Sequence, residues 1–137
     1  HGNIWSTPEE IGEFFTALDR RGKAHFTYDV QNLWQMGTFP TLDAYRKLRS
    51  FIGYVHLKGG RTDGGGTELV WKSALEEADW PVEDLVYEVI RDRVSPVICL
   101  NPSHGRTPPE PQDDTDAPMH VQDLYFMKQL IQEIEGG

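Results

Sequence analysis

Apolar residues change their period several times along the chain. Ile11, Phe14, Phe15 and Leu18 recur at helical spacing. Thr7-Pro8-Glu9-Glu10 stands before them as a start signal: Thr7 caps, Pro8 suits the first helical position and Glu10 completes a capping box. Arg20-Arg21-Gly22 closes the helix with basic residues and a glycine. Ala24 to Val30 alternates and predicts a strand. Leu42, Tyr45 and Leu48 form the buried stripe of a helix over 41–51. Gly53 to Lys58 predicts a second strand, followed by a glycine-rich loop over 59–66. Leu69 to Leu75 reads as a short third strand. Trp80-Pro81 opens a helix faced by Val82, Leu85, Val86, Val89 and Ile90, and Val97 to Leu100 predicts a last strand. Asn101 to His120 is a polar loop carrying Pro102, Pro108, Pro109, Pro111 and Pro118; so long a loop in a compact domain is functional or disordered. Val121, Leu124, Tyr125, Ile131 and Ile134 mark a final helix.

Strands alternating with helices imply an α/β fold with a parallel sheet. Both well-marked strands end on polar side chains, at Thr27-Tyr28-Asp29 and Tyr54-Val55-His56-Leu57-Lys58. A (β/α) barrel places its chemistry at such strand ends. The chain has 137 residues, about half of the ~250 typical of a complete barrel. The expectation is therefore a single partial domain over 1–137, the C-terminal half of a (β/α)8 TIM barrel. It opens at His1-Gly2-Asn3 without an initiator Met, which suggests processing, proteolysis or a deliberate cut.

Side chains of a strand alternate between faces. His25, Thr27 and Asp29 share one face of the first strand; Tyr54, His56 and Lys58 share one face of the second. Asp29 and His56 are separated by about one βα unit, so neighbouring strand ends can bring them to one ion. A carboxylate with a neutral imidazole suits Mn²⁺, Co²⁺, Zn²⁺ or Mg²⁺. On spacing alone the plainer reading takes precedence: a helix cap at Asp29 and a buried hydrogen bond at His56. Lys58 and Arg61, with the backbone N–H groups of Gly59 and Gly60, can hold an oxyanion or phosphate; a solvated loop is the plain alternative. Trp34, Met36 and Phe39 can wall a pocket, or pack under a loop. His104 follows the last strand and can reach a pocket; an ordinary loop histidine is the plainer reading. His25 and His120 read as structural.

Composition narrows the partners. Thirteen basic and 22 acidic residues give a net charge of −9, which opposes phosphate-backbone binding and a nuclease reading. No apolar run approaches the ~20 residues of a membrane span. The single cysteine, Cys99, rules out an internal disulfide, and a reduced cytoplasmic setting is the expectation.

Tyr28-Asp29-Val30-Gln31-Asn32-Leu33-Trp34 and Gly53-Tyr54-Val55-His56-Leu57-Lys58 resemble the fifth and sixth strands of the sugar-phosphate isomerase/epimerase superfamily of xylose-isomerase-like barrels. Ala74 to Trp80 resembles the segment around its seventh strand, without the usual glycines. The resemblance implies one divalent metal held by Glu, Asp, His and Glu from strands four, five, six and eight. It makes Asp29 and His56 the middle two ligands and gives Asn32 a metal or substrate contact. The first Glu would precede His1. Leu100-Asn101 stands where the last Glu belongs; Asn101 is an oxygen donor but not a base. Lys58 matches a His-x-Lys pattern. The implied reaction is proton transfer beside a carbonyl of a small sugar-like substrate, by an acid/base glutamate pair that this chain lacks. The isolated chain is thus expected to be a poor catalyst or none. A lyase or dehydratase on the same fold is one alternative. The other is a non-catalytic half-barrel that assembles, as a homodimer or larger, through its exposed strand edges.

Overall fold

The computed structural model describes residues 7–19, 22–62, 69–70, 73–100 and 116–136. The elements run α1 (Pro8–Leu18), β1 (Phe26–Asp29), α2 (Val30–Gln35), α3 (Leu42–Leu48), β2 (Ile52–Leu57), β3 (Arg61–Thr62), β4 (Leu69–Val70), α4 (Val82–Asp92), β5 (Ile98–Leu100) and α5 (Asp116–Gly136). A 3-10 turn over Leu75–Glu77 precedes α4. The predicted capping box forms: Thr7 Oγ1 accepts from the Glu10 N–H, and Glu10 accepts from the Thr7 N–H.

β1, β2 and β5 form a parallel sheet in the order β1-β2-β5. The class is α/β. The expected third strand over 69–75 is corrected: among the described residues the strand is Leu69–Val70, which pairs antiparallel with β3 in a separate two-stranded sheet. Leu75 instead starts the 3-10 turn.

Register sets the two faces of the sheet. Asp29 lies opposite His56, and His56 opposite Cys99. Laterally paired residues point the same way, so these three form one row, with Thr27 and Tyr54 on the same side. Tyr28, Val55 and Leu57 point the other way and are fully buried. Their core is completed by Ile11 of α1, Tyr45 and Leu48 of α3, Leu85, Val86 and Val89 of α4, and Met127 and Leu130 of α5. A charged seam joins α3 to α4: Arg46 pairs with Glu88, and the Tyr45 hydroxyl donates to Asp92 at 3.0 Å. The Arg46 hydrogen bond holds the Glu88 carboxyl below its ordinary range, outweighing burial.

The predicted last helix forms, and of its marking residues Ile131 and Ile134 pack against the core. Val121, Leu124 and Tyr125 are exposed, Tyr125 at 68%, whereas Asp123, Met127 and Leu130 face inward. Asp123 accepts from the Leu75 N–H at 2.8 Å, which docks α5 on the 3-10 turn. Burial pushes the Asp123 carboxyl above its usual range, against the pull of that N–H.

Tyr28 carries the one flaw in this core. Its ring packs edge-on to Tyr45 and Phe26, but its hydroxyl finds no hydrogen-bond partner among the described residues. Burial drives its pKa upward. Removing a buried, unsatisfied group without changing shape is neutral or favourable. Tyr28→Phe should therefore gain about 1 kcal/mol in urea unfolding. A loss of similar size would show that the hydroxyl is satisfied in solution.

Candidate metal and substrate site at the ends of β1 and β2

Asp29 ends β1 and begins α2, and its two oxygens do different work. Oδ1 accepts from the Asn32 N–H at 2.9 Å, capping α2. Oδ2 faces β2. There it lies 3.4 Å from His56 Nδ1 and 2.9 Å from Lys58 Nζ. The helix-cap reading of Asp29 is thus seen, and the second oxygen faces His56 and Lys58. Asp29 is only 6% exposed, and the Lys58 side chain 12%. The ammonium beside it is the reason a carboxylate is tolerated at such burial, since an unpaired buried charge is costly.

The separation of Asp29 Oδ2 and His56 Nδ1 fits one ion. Two ligand atoms ~2.1 Å from a tetrahedral centre lie about 3.4 Å apart. The Lys58 ammonium already places a cation on the shared oxygen. Among the described residues, no group of three His, Cys, Asp or Glu could hold an ion. A metal here would need further donors.

A cavity of about 310 Å³ opens beside the pair, lined by Phe26, Thr27, Asp29, Asn32, Leu33, Met36 and His56. Asn32 and Met36 thus line the cavity beside Asp29. Trp34 and Phe39 do not line it; they pack edge-on against each other at 4.8 Å. Arg61 lies in β3, where its guanidinium donates to the adjacent Thr62 carbonyl at 3.4 Å. Asn101 and His104 lie outside the described residues.

The predicted backbone cradle at Gly59 and Gly60 is corrected in one respect. The Gly60 N–H donates to Ser73 Oγ at 2.8 Å, so it is not free for an oxyanion. The rest of this segment is tied down as well. Trp80 Nε1 donates to the Lys58 carbonyl at 3.1 Å, Gln31 Nε2 to the Gly59 carbonyl at 3.1 Å, and the Asp79 N–H to the Gly60 carbonyl at 3.0 Å. The backbone bearing Lys58 is a fixed support rather than a mobile anion loop.

Sequence reasoning placed Tyr54 on the His56 face and overlooked Cys99 as a neighbour of this site. The Tyr54 ring meets His56 at 4.9 Å, edge-on. A hydrogen bond to Cys99 raises the Tyr54 hydroxyl pKa. Alternation within Ile98-Cys99-Leu100 was the available signal, because it sets Cys99 on the face opposite two apolar residues.

A larger groove, about 880 Å³ and mostly apolar, runs between α4, β5 and α5 past Ile90, Val97, Leu100 and Leu124. It shares no residue with the Asp29 cavity. Among the described residues, no helix is long and apolar enough to cross a membrane. No protein-family model, curated protein or solved structure matches the chain.

Proposed function

We propose that the chain is part of a divalent-metal-dependent isomerase or epimerase acting on a small sugar-like carbonyl compound, built on a (β/α)8 barrel of which these strands form a portion. The observation carrying this reading is the convergence of Asp29 and His56 at the ends of neighbouring parallel strands, with donor atoms 3.4 Å apart beside a cavity. Asp29 and His56 would hold the ion, with Asn32 at the cavity edge and Lys58 serving substrate oxygens. When bound, the metal polarises a carbonyl oxygen and so eases proton removal at the adjacent carbon. The glutamate pair that would move that proton has no counterpart among the described residues. This chain is therefore assigned the metal-holding share of the site, and isolated turnover is not expected.

Mn²⁺ titration of the folded chain, followed by electron paramagnetic resonance, tests the reading. One weak site is expected, and His56→Ala should weaken it by more than about tenfold, as for loss of metal-site residues. A folded chain that takes no Mn²⁺, or takes it equally well without His56, would sink the proposal.

A second reading, a non-catalytic assembly module, is favoured by the outer edges of β1 and β5, each with one strand neighbour among the described residues. The apolar groove beside β5 points the same way. Exposed edges and large apolar patches recruit partners. A concentration-independent monomer in light scattering would count against it.

A further inference from the structure

The groove between α4, β5 and α5 encloses about 880 Å³, a volume within the range of small-molecule sites. Buried Val89 and Met127, half-buried Ile98, Leu100 and Ile131, and exposed Leu124 give it an apolar lining on three sides. Its charged members are Arg93, Lys128 and Glu135, two cations against one carboxylate in a chain of net charge −9.

These two cations stand apart from most of the others. Arg46, Lys47, Arg49, Lys58 and Arg91 each pair with a carboxylate. Among the described residues neither Arg93 nor Lys128 has such a partner, and Glu135 engages neither of them. Arg93 also takes a left-handed backbone at the end of α4, with φ +52°, where Gly or Asn would sit with less strain. Strain of this kind is kept where a side chain has work to do.

We propose that this groove binds a single-chain amphiphile with a carboxylate head, a fatty acid in chemical class. The tail lies against the apolar lining, and Arg93 and Lys128 hold the head. The guanidinium fork matches a carboxylate, and the ammonium adds a second charge-assisted donor. Glu135 leaves the lining with one net positive charge, which suits a monoanion better than a phosphate dianion. The groove and the Asp29 cavity have no lining residue in common, so this site stands or falls without the metal reading.

Calorimetric titration of the full chain with laurate, below its micelle concentration, tests the site. One laurate per chain is expected. Dodecyltrimethylammonium, with the same tail and the opposite charge, should bind at least about tenfold more weakly, as loss of hydrogen bonds to a charged group implies. The double variant Arg93→Asn, Lys128→Gln should weaken laurate by a similar factor; Asn suits the left-handed position and protects the fold. Leu124→Trp changes an exposed residue and should block the tail. The comparison of the two amphiphiles on the unsubstituted chain stands even where a variant fails to fold. No laurate uptake, equal binding of the cationic amphiphile, or laurate affinity unchanged in both folded variants would overturn the proposal. So would a groove closed by a second copy, seen as a concentration-dependent dimer that Leu124→Trp dissolves and laurate does not.

Discussion

Gly59→Ala should destabilise the chain by about 3 kcal/mol or more, at the upper end of overpacking costs. A Cβ at Gly59 would lie 1.8 Å from the Ser73 carbonyl oxygen and 2.7 Å from the Ser73 Oγ. The obstacle is backbone, so no rotamer change relieves it. Displacing Ser73 also breaks its bond to the Gly60 N–H. The neighbouring Ala74 and Leu75 are buried, so the shift propagates into the core. Gly37→Ala makes a useful contrast. Gly37 has a φ of +110° but nothing within 4 Å of a new Cβ. Its cost should be conformational only, about 1–2 kcal/mol. Urea unfolding of both variants measures the difference. If Gly59→Ala proves no worse than Gly37→Ala, the β2 exit is not packed against Ser73 as described.

Asp29→Ala should cost a similar amount, about 3 kcal/mol or more, from two separable sources. Loss of the α2 cap accounts for about 1 kcal/mol. The remainder comes from leaving the Lys58 ammonium without its partner in a largely buried position. Asn caps helices as well as Asp does, so Asp29→Asn should recover the first part and not the second. The order of stability is then parent, Asp29→Asn, Asp29→Ala. Adding Lys58→Met to Asp29→Ala should restore part of the loss, because the orphaned charge is gone. Additive effects in that double-mutant cycle would show that the two side chains do not interact in solution.

Much of this site was legible because its signals are local. The Thr7 and Glu10 cap, the α4 stripe and the alternation into Asp29 and His56 each lie within a few residues of the structure they specify. The separation of one βα unit was enough to bring Asp29 beside His56, since parallel strands joined by a helix become neighbours. What stayed hidden depended on distant partners. The Gly60 N–H looked free because Ser73 is thirteen residues away in sequence. The first turns of the last helix were not legible because their inward side carries Asp123, which a hydropathy pattern sends outward, while Val121, Leu124 and Tyr125 are exposed. The Leu75 N–H, supplied from the 3-10 turn, offsets the cost of that burial. The third strand was misread because the apolar residues near Leu75 belong to a compact turn rather than an extended segment. Lys58 was assigned to substrate, with no hint that it would engage Asp29; two side chains on adjacent strand ends can meet in ways that alternation does not rank.

The division of labour within the Asp29 carboxylate has a consequence for ion selectivity. With Oδ1 accepting from the Asn32 N–H at 2.9 Å, bidentate ligation of an ion would compete with the α2 cap, and the proposed site favours a single oxygen from Asp29. Ca²⁺ takes roughly 6–8 oxygens and commonly draws two from one carboxylate, at looser geometry. Small ions that accept single carboxylate oxygens and imidazole nitrogen meet no such penalty. If Asp29 holds an ion as proposed, the helix cap that starts six residues of α2 would also act as a filter on ionic radius.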